Sequence, residues 1–475
     1  MDAIPSTTIT CPRCIQLEAE ILGQSNSIDE LKKSVRDLTK KLDDVTRARK
    51  RQAAPFQKSK SQKKPKDQHK KPGRPVGHPP AQRPEPTPES IDRTIHVPAN
   101  HCPDCNVALV DLHTERQFQT DIPEVKPKIT EFVLEVGTCP CCQKRIQGTH
   151  PEQTSQAIGA ANHSMGPRAI GLAAQLKYQF GMPFRKVSNF FQGTFGLSFS
   201  PGSIVRSTQK AAAMSSGLIS MLRMQLPTEP IVHVDETGWW NAGTRCYLHV
   251  FSTSNIILYR VGNRSNQMAI EMLGRNFENI LVCDGYAGYD IFQTARCNAH
   301  PLRRIRDLME AMPLKYSDLQ VIHDIIAGGV HLSKTRSEFE PSNYASQVRL
   351  QISILGNWVD SHLSDKREAV ARLAKHLAKY IVEFNRHLFD SLIPTTNNKG
   401  ERDLRPGVLL RKVGCCNRSD KGIRTFEILA SLCATFKSRG MDMLGWLKYR
   451  MEGVGPKYIP PELLPENFGH EIQLC

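Results

Sequence analysis

The sequence predicts an α/β protein whose strand-rich core is split by a long helical stretch and preceded by a coiled coil, a metal-binding ribbon and a small helical domain. Three observations carry this prediction. Two apolar runs, Pro230–Asp235 and Asn279–Asp284, each end in an aspartate. Two Cys-Pro-x-Cys pairs, Cys102/Cys105 and Cys139/Cys142, are separated by 33 residues. A seven-residue apolar repeat runs through residues 15–48.

At 475 residues the chain is too long for one compact core, so several domains are expected. A hydrophobic fraction of 39% suits a globular protein. No apolar run approaches the roughly 20 residues that a membrane helix needs, and the N-terminus lacks a charged start followed by an apolar core. The expectation is therefore a soluble cytoplasmic protein with no membrane partner. The 63 Lys and Arg exceed the 47 Asp and Glu to give a net charge of +16, and residues 1–80 alone hold 18 basic against 9 acidic side chains. That local excess points to a polyanion, and so to nucleic acid. The pairing of cysteines at Cys-x-x-Cys spacing points to metal ligation in a reducing compartment rather than to disulfides.

The elements follow in order. In residues 1–50, Ile21, Ile28, Val35 and Leu42 occupy one heptad seam and Leu17, Leu31, Leu38 and Val45 the other. Branched residues at a with Leu at d favour a parallel dimer. Residues 51–97 are rich in Lys, Arg, Pro and Gln, have too little apolar surface to bury, and read as a basic tether. Within it Lys70, Lys71 and Arg74, around Gly73 and Pro75, fit either insertion into a narrow minor groove or nonspecific phosphate binding. Residues 98–150 read as a zinc ribbon, with Cys102, Cys105, Cys139 and Cys142 holding Zn²⁺ tetrahedrally and strands expected between Glu115 and Val136. Residues 151–226 are helical, and fit a helix-turn-helix arrangement or a plain bundle.

From residue 227 the period changes. Pro230–Asp235, Arg245–Phe251 and Ile256–Val261 read as three strands in meander, Met268–Leu273 as a helix, and Asn279–Asp284 and Ala295–Cys297 as two further strands. This order is that of a ribonuclease-H-like fold. In it the first and fourth strands are neighbours, so Asp235 and Asp284 meet at one edge. Residues 301–390 read as a helical insertion, residues 391–440 as the second part of the core, and residues 441–475 as a C-terminal helix and tail. A third acid, Glu401, follows Asn397 and Asn398 at a helix start, with Arg402 and Arg405 close in sequence, where they fit either contact with DNA phosphate or orientation of the acid.

Three carboxylates suit phosphodiester chemistry. Two Mg²⁺ (or Mn²⁺) ions about 3.5–4 Å apart activate the attacking oxygen and stabilise the leaving one, and such hard cations take oxygen ligands. Asp235, on the central strand, is the expected bridging ligand. Glu236 is expected to leave the opposite strand face, and Trp239 and Trp240 fit either core packing or stacking on a flipped base. A nuclease or resolvase on the same fold and a DNA-binding regulator are the competing readings.

At these residues the chain resembles a known family. Val232-His233-Val234-Asp235-Glu236-Thr237-Gly238-Trp239, Cys283-Asp284-Gly285-Tyr286-Ala287-Gly288-Tyr289, Cys297-Asn298-Ala299-His300 and Asn398–Pro406 are similar to the insertion sequence 66 type of DDE transposase. The resemblance extends to the heptad, the tether and the two cysteine pairs. It implies a ribonuclease-H-like core, Mg²⁺ dependence, binding to the terminal inverted repeats of a bacterial element, and the catalytic acids Asp235, Asp284 and Glu401. The family usually carries an aromatic residue where this chain has Asn298, and a more basic stretch where it has Pro301 and Leu302.

Overall fold

The structure is a computed structural model describing residues 84–159 and 163–451, together with the single positions Arg13 and Gln16. The chain divides at Ala81/Gln82, and every element named here lies in the second part. The heptad, Cys11/Cys14 and the basic residues Lys70, Lys71 and Arg74 fall outside the described residues. Among the described residues no helix is long and apolar enough to cross a membrane.

The first sheet is small: β1 (Val136–Thr138) pairs antiparallel with β2 (Arg145–Gln147) around Cys139–Cys142. The strands expected between Glu115 and Val136 do not form: residues 115–135 belong to no strand, and β1 begins only at Val136. The apolar side chains Ile122, Val125, Ile129 and Val133 there are all exposed, so no apolar layer rewards a sheet.

Three helices follow: α1 (Pro167–Ala174), α2 (Phe184–Phe195) and α3 (Pro201–Gln225). Ser200 caps α3 by accepting from Ser203 N at 3.1 Å, and Pro201 follows at the first helical position. Their buried residues, including Ile170, Ala173, Leu218 and Leu222, belong to the same core as the main sheet.

That sheet has five strands in the order β5-β4-β3-β6-β7, with β3 (Ile231–Asn241), β4 (Thr244–Ser252), β5 (Ile257–Gly262), β6 (Ile280–Cys283) and β7 (Thr294–Arg296). The fold is thus mixed α/β: β3, β4 and β5 are antiparallel, while β6 runs parallel to both β3 and β7. Ala242 and Gly243 turn β3 into β4 with positive φ at both residues, the two-residue turn whose twist matches a hairpin. A parallel partner needs a crossover, which α4 (Asn266–Leu273) supplies between β5 and β6. β3 does not end at Asp235. Its pairing with β6 stops at His233, but its ladder with β4 continues to Asn241, so the residues after Asp235 stay extended.

The helices α5 (Ala299–Ala311), α6 (Gln320–Lys334), α7 (Pro341–His362) and α8 (Glu368–Lys379) form a second core around Ile305, Leu319, Trp358, Leu373 and Leu377. Arg367 ties this group together, donating to both carboxylate oxygens of Asp318 at 2.7 and 2.8 Å. The chain then returns to the sheet through α9 (Asn398–Gly414), α10 (Asp420–Ser438) and α11 (Met443–Met451).

α10 completes the sheet edge. The N–H groups of Ile257, Tyr259 and Val261, on the outer side of β5, donate to Thr435 Oγ1, Ser431 Oγ and Glu427 Oε1 at 3.0, 2.8 and 2.7 Å. The spacings are commensurate: four helical residues rise about 6 Å, close to the roughly 6.8 Å of two strand residues. An edge that would otherwise be open to a stray strand is closed by one helix face.

Candidate active site

The core strands bring the first two acids together by register. Ile231 pairs with Ile280 and His233 with Val282, and the same register carried two residues further sets Asp235 opposite Asp284. Asp284 begins the loop after β6, where its Oδ1 accepts from Tyr286 N at 2.8 Å. Glu401 sits in the first turn of α9.

One residue fixes that helix to the strand. Asn397, only 1% exposed, donates from Nδ2 to the Val234 carbonyl at 2.7 Å, and its Oδ1 lies 2.9 Å from His233 Nδ1. Its carbonyl also accepts from Glu401 N at 3.1 Å. Gly400 permits this close approach, since a Cβ there would lie 2.7 Å from Asn397 Oδ1. Further along α9, Gly407 lies where a Cβ would meet Leu248 at 2.4 Å, and Arg411 donates to Thr237 Oγ1 at 3.0 Å and to the Gly238 carbonyl. The helix is therefore held against β3 on both sides of Asp235.

The electrostatics register the convergence. Burial raises the Asp235 carboxyl to about 7, and the charges of Glu236, Asp284 and Glu401 push the same way against a hydrogen bond from Glu236 N. Both other sequence-predicted acids thus act directly on Asp235. Glu401 Oε1 is buried with no hydrogen-bond partner, and His300 Nε2 lies 3.7 Å from it. Buried polar atoms are normally satisfied. Among the described residues the three acids do not bring carboxylate oxygens within 4.8 Å of one another; the ligand atoms that meet Glu401 within that distance are those of Cys297 and His300.

Three supporting residues escape sequence reasoning. Arg296, whose side chain is fully buried, donates to the carbonyls of Asp284 at 2.5 Å and Tyr286 at 2.9 Å and also pairs with Asp290, so it shapes the Asp284 loop. Asp290 in turn accepts from Lys379 and Tyr380, both at 2.9 Å, joining the loop to the helical stretch. Asn298 donates from its backbone to the Thr395 carbonyl at 3.1 Å and from its side chain to the Phe384 carbonyl at 3.0 Å, anchoring the approach to α9. Glu236 is buried, accepting from Tyr289 OH at 2.7 Å and Arg264 Nε at 2.9 Å, and burial raises its carboxyl. The alternation of β3 turns it away from Asp235, as the sequence suggests, but nothing in the sequence announces its partners.

The other predicted residues divide. Arg402 and Arg405 are exposed on α9. Trp239 is core, stacked on Phe426 at 5.0 Å and donating to Asn417 Oδ1 at 2.9 Å, whereas Trp240 is half exposed. The two cysteine turns share one geometry. Asn106 N and Gln143 N donate to the carbonyls of Cys102 and Cys139 at 3.0 and 2.9 Å, and both residues have positive φ. In each turn backbone N–H groups, foremost those of Cys105 and Cys142, aim at the first sulfur and lower its thiol pKa. The structure does not gather the two turns: among the described residues the one group of three or more His, Cys, Asp and Glu with ligand atoms mutually within 4.8 Å is Cys297, His300 and Glu401.

Residues 163–425, from α1 into α10, match the family described as Transposase IS66 family. Two proteins of Sinorhizobium fredii (strain NBRC 101917 / NGR234) are similar. Uncharacterized protein y4qI is 26% identical over 218 residues, covering 40% of this chain and 39% of the relative. Uncharacterized protein y4jD is 20% identical over 413 residues, covering 76% of each. The match to the first thus spans about two fifths of that relative's length. The family match takes in all three acids, the main sheet and the helix that carries Glu401, and the chain belongs to the IS66 transposase family.

Proposed function

We propose that the protein is a DDE transposase with a ribonuclease-H-like catalytic core, in which Asp235, Asp284 and Glu401 hold Mg²⁺ or Mn²⁺ for cleavage of element ends and strand transfer into target DNA. The observation that carries this reading is the tie of α9, which bears Glu401, to β3, which bears Asp235, through the Asn397 bond to the Val234 carbonyl, beside the end of β6 from which Asp284 follows. The β5-β4-β3-β6-β7 order, with Asp235 on β3 and Asp284 directly after the neighbouring parallel strand β6, supports the fold assignment.

The bound cations would supply Lewis acidity at the scissile phosphate and offset the charge that grows on the leaving oxygen. The chain's own residues do the positioning. Asn397 and Arg411 hold α9, the helix of Glu401, against β3, and Arg296 fixes the backbone on which Asp284 sits. Arg402 and Arg405, exposed beside Glu401, are suited to contact the phosphates that flank the cleaved bond. Cys102, Cys105, Cys139 and Cys142 would hold a structural Zn²⁺, a reading supported by the thiolate-favouring N–H groups in each turn. The heptad would pair two chains, and Lys70, Lys71 and Arg74 would tether them to DNA.

The test is cleavage of DNA carrying the inverted repeats of the element, in Mg²⁺, by parent protein and by Asp235→Asn. The expected result is a 3′-hydroxyl at the element end and joined product with the parent only. Equal nicking by Asp235→Asn would remove the catalytic assignment. Binding of end DNA without any cleavage by the parent would favour a regulator, and cleavage without joining a nuclease or resolvase.

A further inference from the structure

Cys297, His300 and Glu401 come from three different places: the residue after β7, the first turn of α5 and the first turn of α9. One ligand atom from each lies within 4.8 Å of the other two. The backbone holds them there. His300 N donates to the Cys297 carbonyl at 3.3 Å, and Asn298, between them, is bonded to Thr395 on the segment leading to Glu401.

The donor set is unlike that of a magnesium site. A thiol and an imidazole beside one carboxylate select a borderline or soft cation, while Mg²⁺ takes oxygen. In a tetrahedral zinc site, bonds of about 2.3 Å to sulfur and about 2.0–2.2 Å to nitrogen and oxygen set the ligands roughly 3.4–3.6 Å apart. The 3.7 Å between His300 Nε2 and Glu401 Oε1 is already near that separation. Glu401 Oε1 is also the buried oxygen without a hydrogen-bond donor. Three protein ligands leave a fourth position open, as in zinc sites that keep a water.

We propose that Cys297, His300 and Glu401 bind Zn²⁺, and that this site shares Glu401 with the acid cluster, so that zinc withdraws Glu401 from magnesium. Zinc binding stands on the three ligands alone; the competition rests on the proposed DDE reading.

The experiment titrates the full-length protein with Zn²⁺ and counts zinc per chain by native mass spectrometry, comparing the parent with Cys297→Ser and His300→Gln. The parent is expected to hold one zinc more per chain than either variant, with that site weakened more than roughly tenfold by each substitution. Cysteines elsewhere bind equally in all three proteins, so they cancel. Cys297 is buried, but His300 is about two fifths exposed, so His300→Gln keeps the count decisive should the cysteine variant misfold. Equal zinc in all three overturns the site. In a second arm, Zn²⁺ is added to Mg²⁺-dependent nicking, with each protein normalised to its own zinc-free rate. Inhibition of the parent and relief in Cys297→Ser support the competition, and equal inhibition overturns it. A parent that never nicks in Mg²⁺ counts against the DDE reading and with it the competition, while the zinc count still decides the site.

Discussion

Asn397 and Val234 are joined by a 2.7 Å hydrogen bond that links the helix of Glu401 to the strand of Asp235. The same side chain engages His233, so a single amide serves two buried partners. Asn397→Ala leaves the Val234 carbonyl and the His233 ring without them. At about 1–3 kcal/mol for each buried group left unpaired, the variant should melt several degrees below the parent. A displacement of about 1 Å in a catalytic group can lower the rate as much as a hundredfold, so nicking should fall by at least about tenfold. A variant with the parent's melting temperature and nicking rate would show that Asn397 does not set the position of Glu401.

Arg296 supports the other half of the site. Its guanidinium bridges the Asp284 and Tyr286 carbonyls and Asp290, and its plane lies over the Tyr380 ring at 4.3 Å. Arg296→Met keeps much of the volume and loses the planar fork. Asp290 keeps Lys379 and Tyr380, so the cost should fall near the lower end for a broken buried pair, about 3 kcal/mol. Urea unfolding measures it. Arg296→Lys should recover only part of the stability, because one ammonium does not span three acceptors. Full recovery by lysine would mean that charge alone, and not the fork, shapes the Asp284 loop.

Ser431 offers a test away from the acids. Its hydroxyl takes the N–H of Tyr259 at 2.8 Å in the middle of the helix face that closes β5. Ser431→Ala removes one atom and leaves a buried N–H unpaired, at a cost of about 1–3 kcal/mol. Hydrogen exchange of the Tyr259 amide should accelerate more than that of Ile257 or Val261, which keep Thr435 and Glu427. Uniform exchange at the three amides would show that the helix does not protect the edge bond by bond.

The core strands are legible in the sequence because short apolar runs such as Ile280–Cys283 are buried and bounded by polar turns. Asp284 and Glu401 are legible for a related reason, each standing where an apolar run or a helix begins or ends. The continuation of β3 past Asp235 is not legible. Glu236, Thr237 and Gly238 have no strand pattern of their own and are kept extended by β4, a partner that local sequence does not name. Arg296 reads as one more charged residue in a short strand, because its acceptors are backbone carbonyls in the loop around Asp284. Glu427, Ser431 and Thr435 read as polar breaks in an apolar helix. Their four-residue spacing gains meaning only once β5 lies alongside. The stretch between Glu115 and Val136 errs the other way, since apolar residues such as Ile122, Val125, Ile129 and Val133 find no opposing apolar layer and form no sheet.

The pH dependence of metal binding follows from Asp235. Burial first, and the charges of Glu236, Asp284 and Glu401 after it, raise its carboxyl to about 7, against about 3.9 in an unfolded chain. Because the folded value is the higher one, the metal-free protein has the full benefit of the protonated acid below about pH 4. It loses that benefit as pH rises through about 7. A cation reverses the balance, since it binds the ionised form and must displace a proton at lower pH. The melting temperature should therefore rise on adding Mg²⁺ at about pH 8 and respond weakly at about pH 6. Asp235→Asn, which carries no proton to displace, should remove most of the difference between the two pH values and lower the response at both. Differential scanning calorimetry measures all four conditions. An equal Mg²⁺ response of the parent at both pH values would mean that Asp235 is not the ligand whose proton the metal must displace.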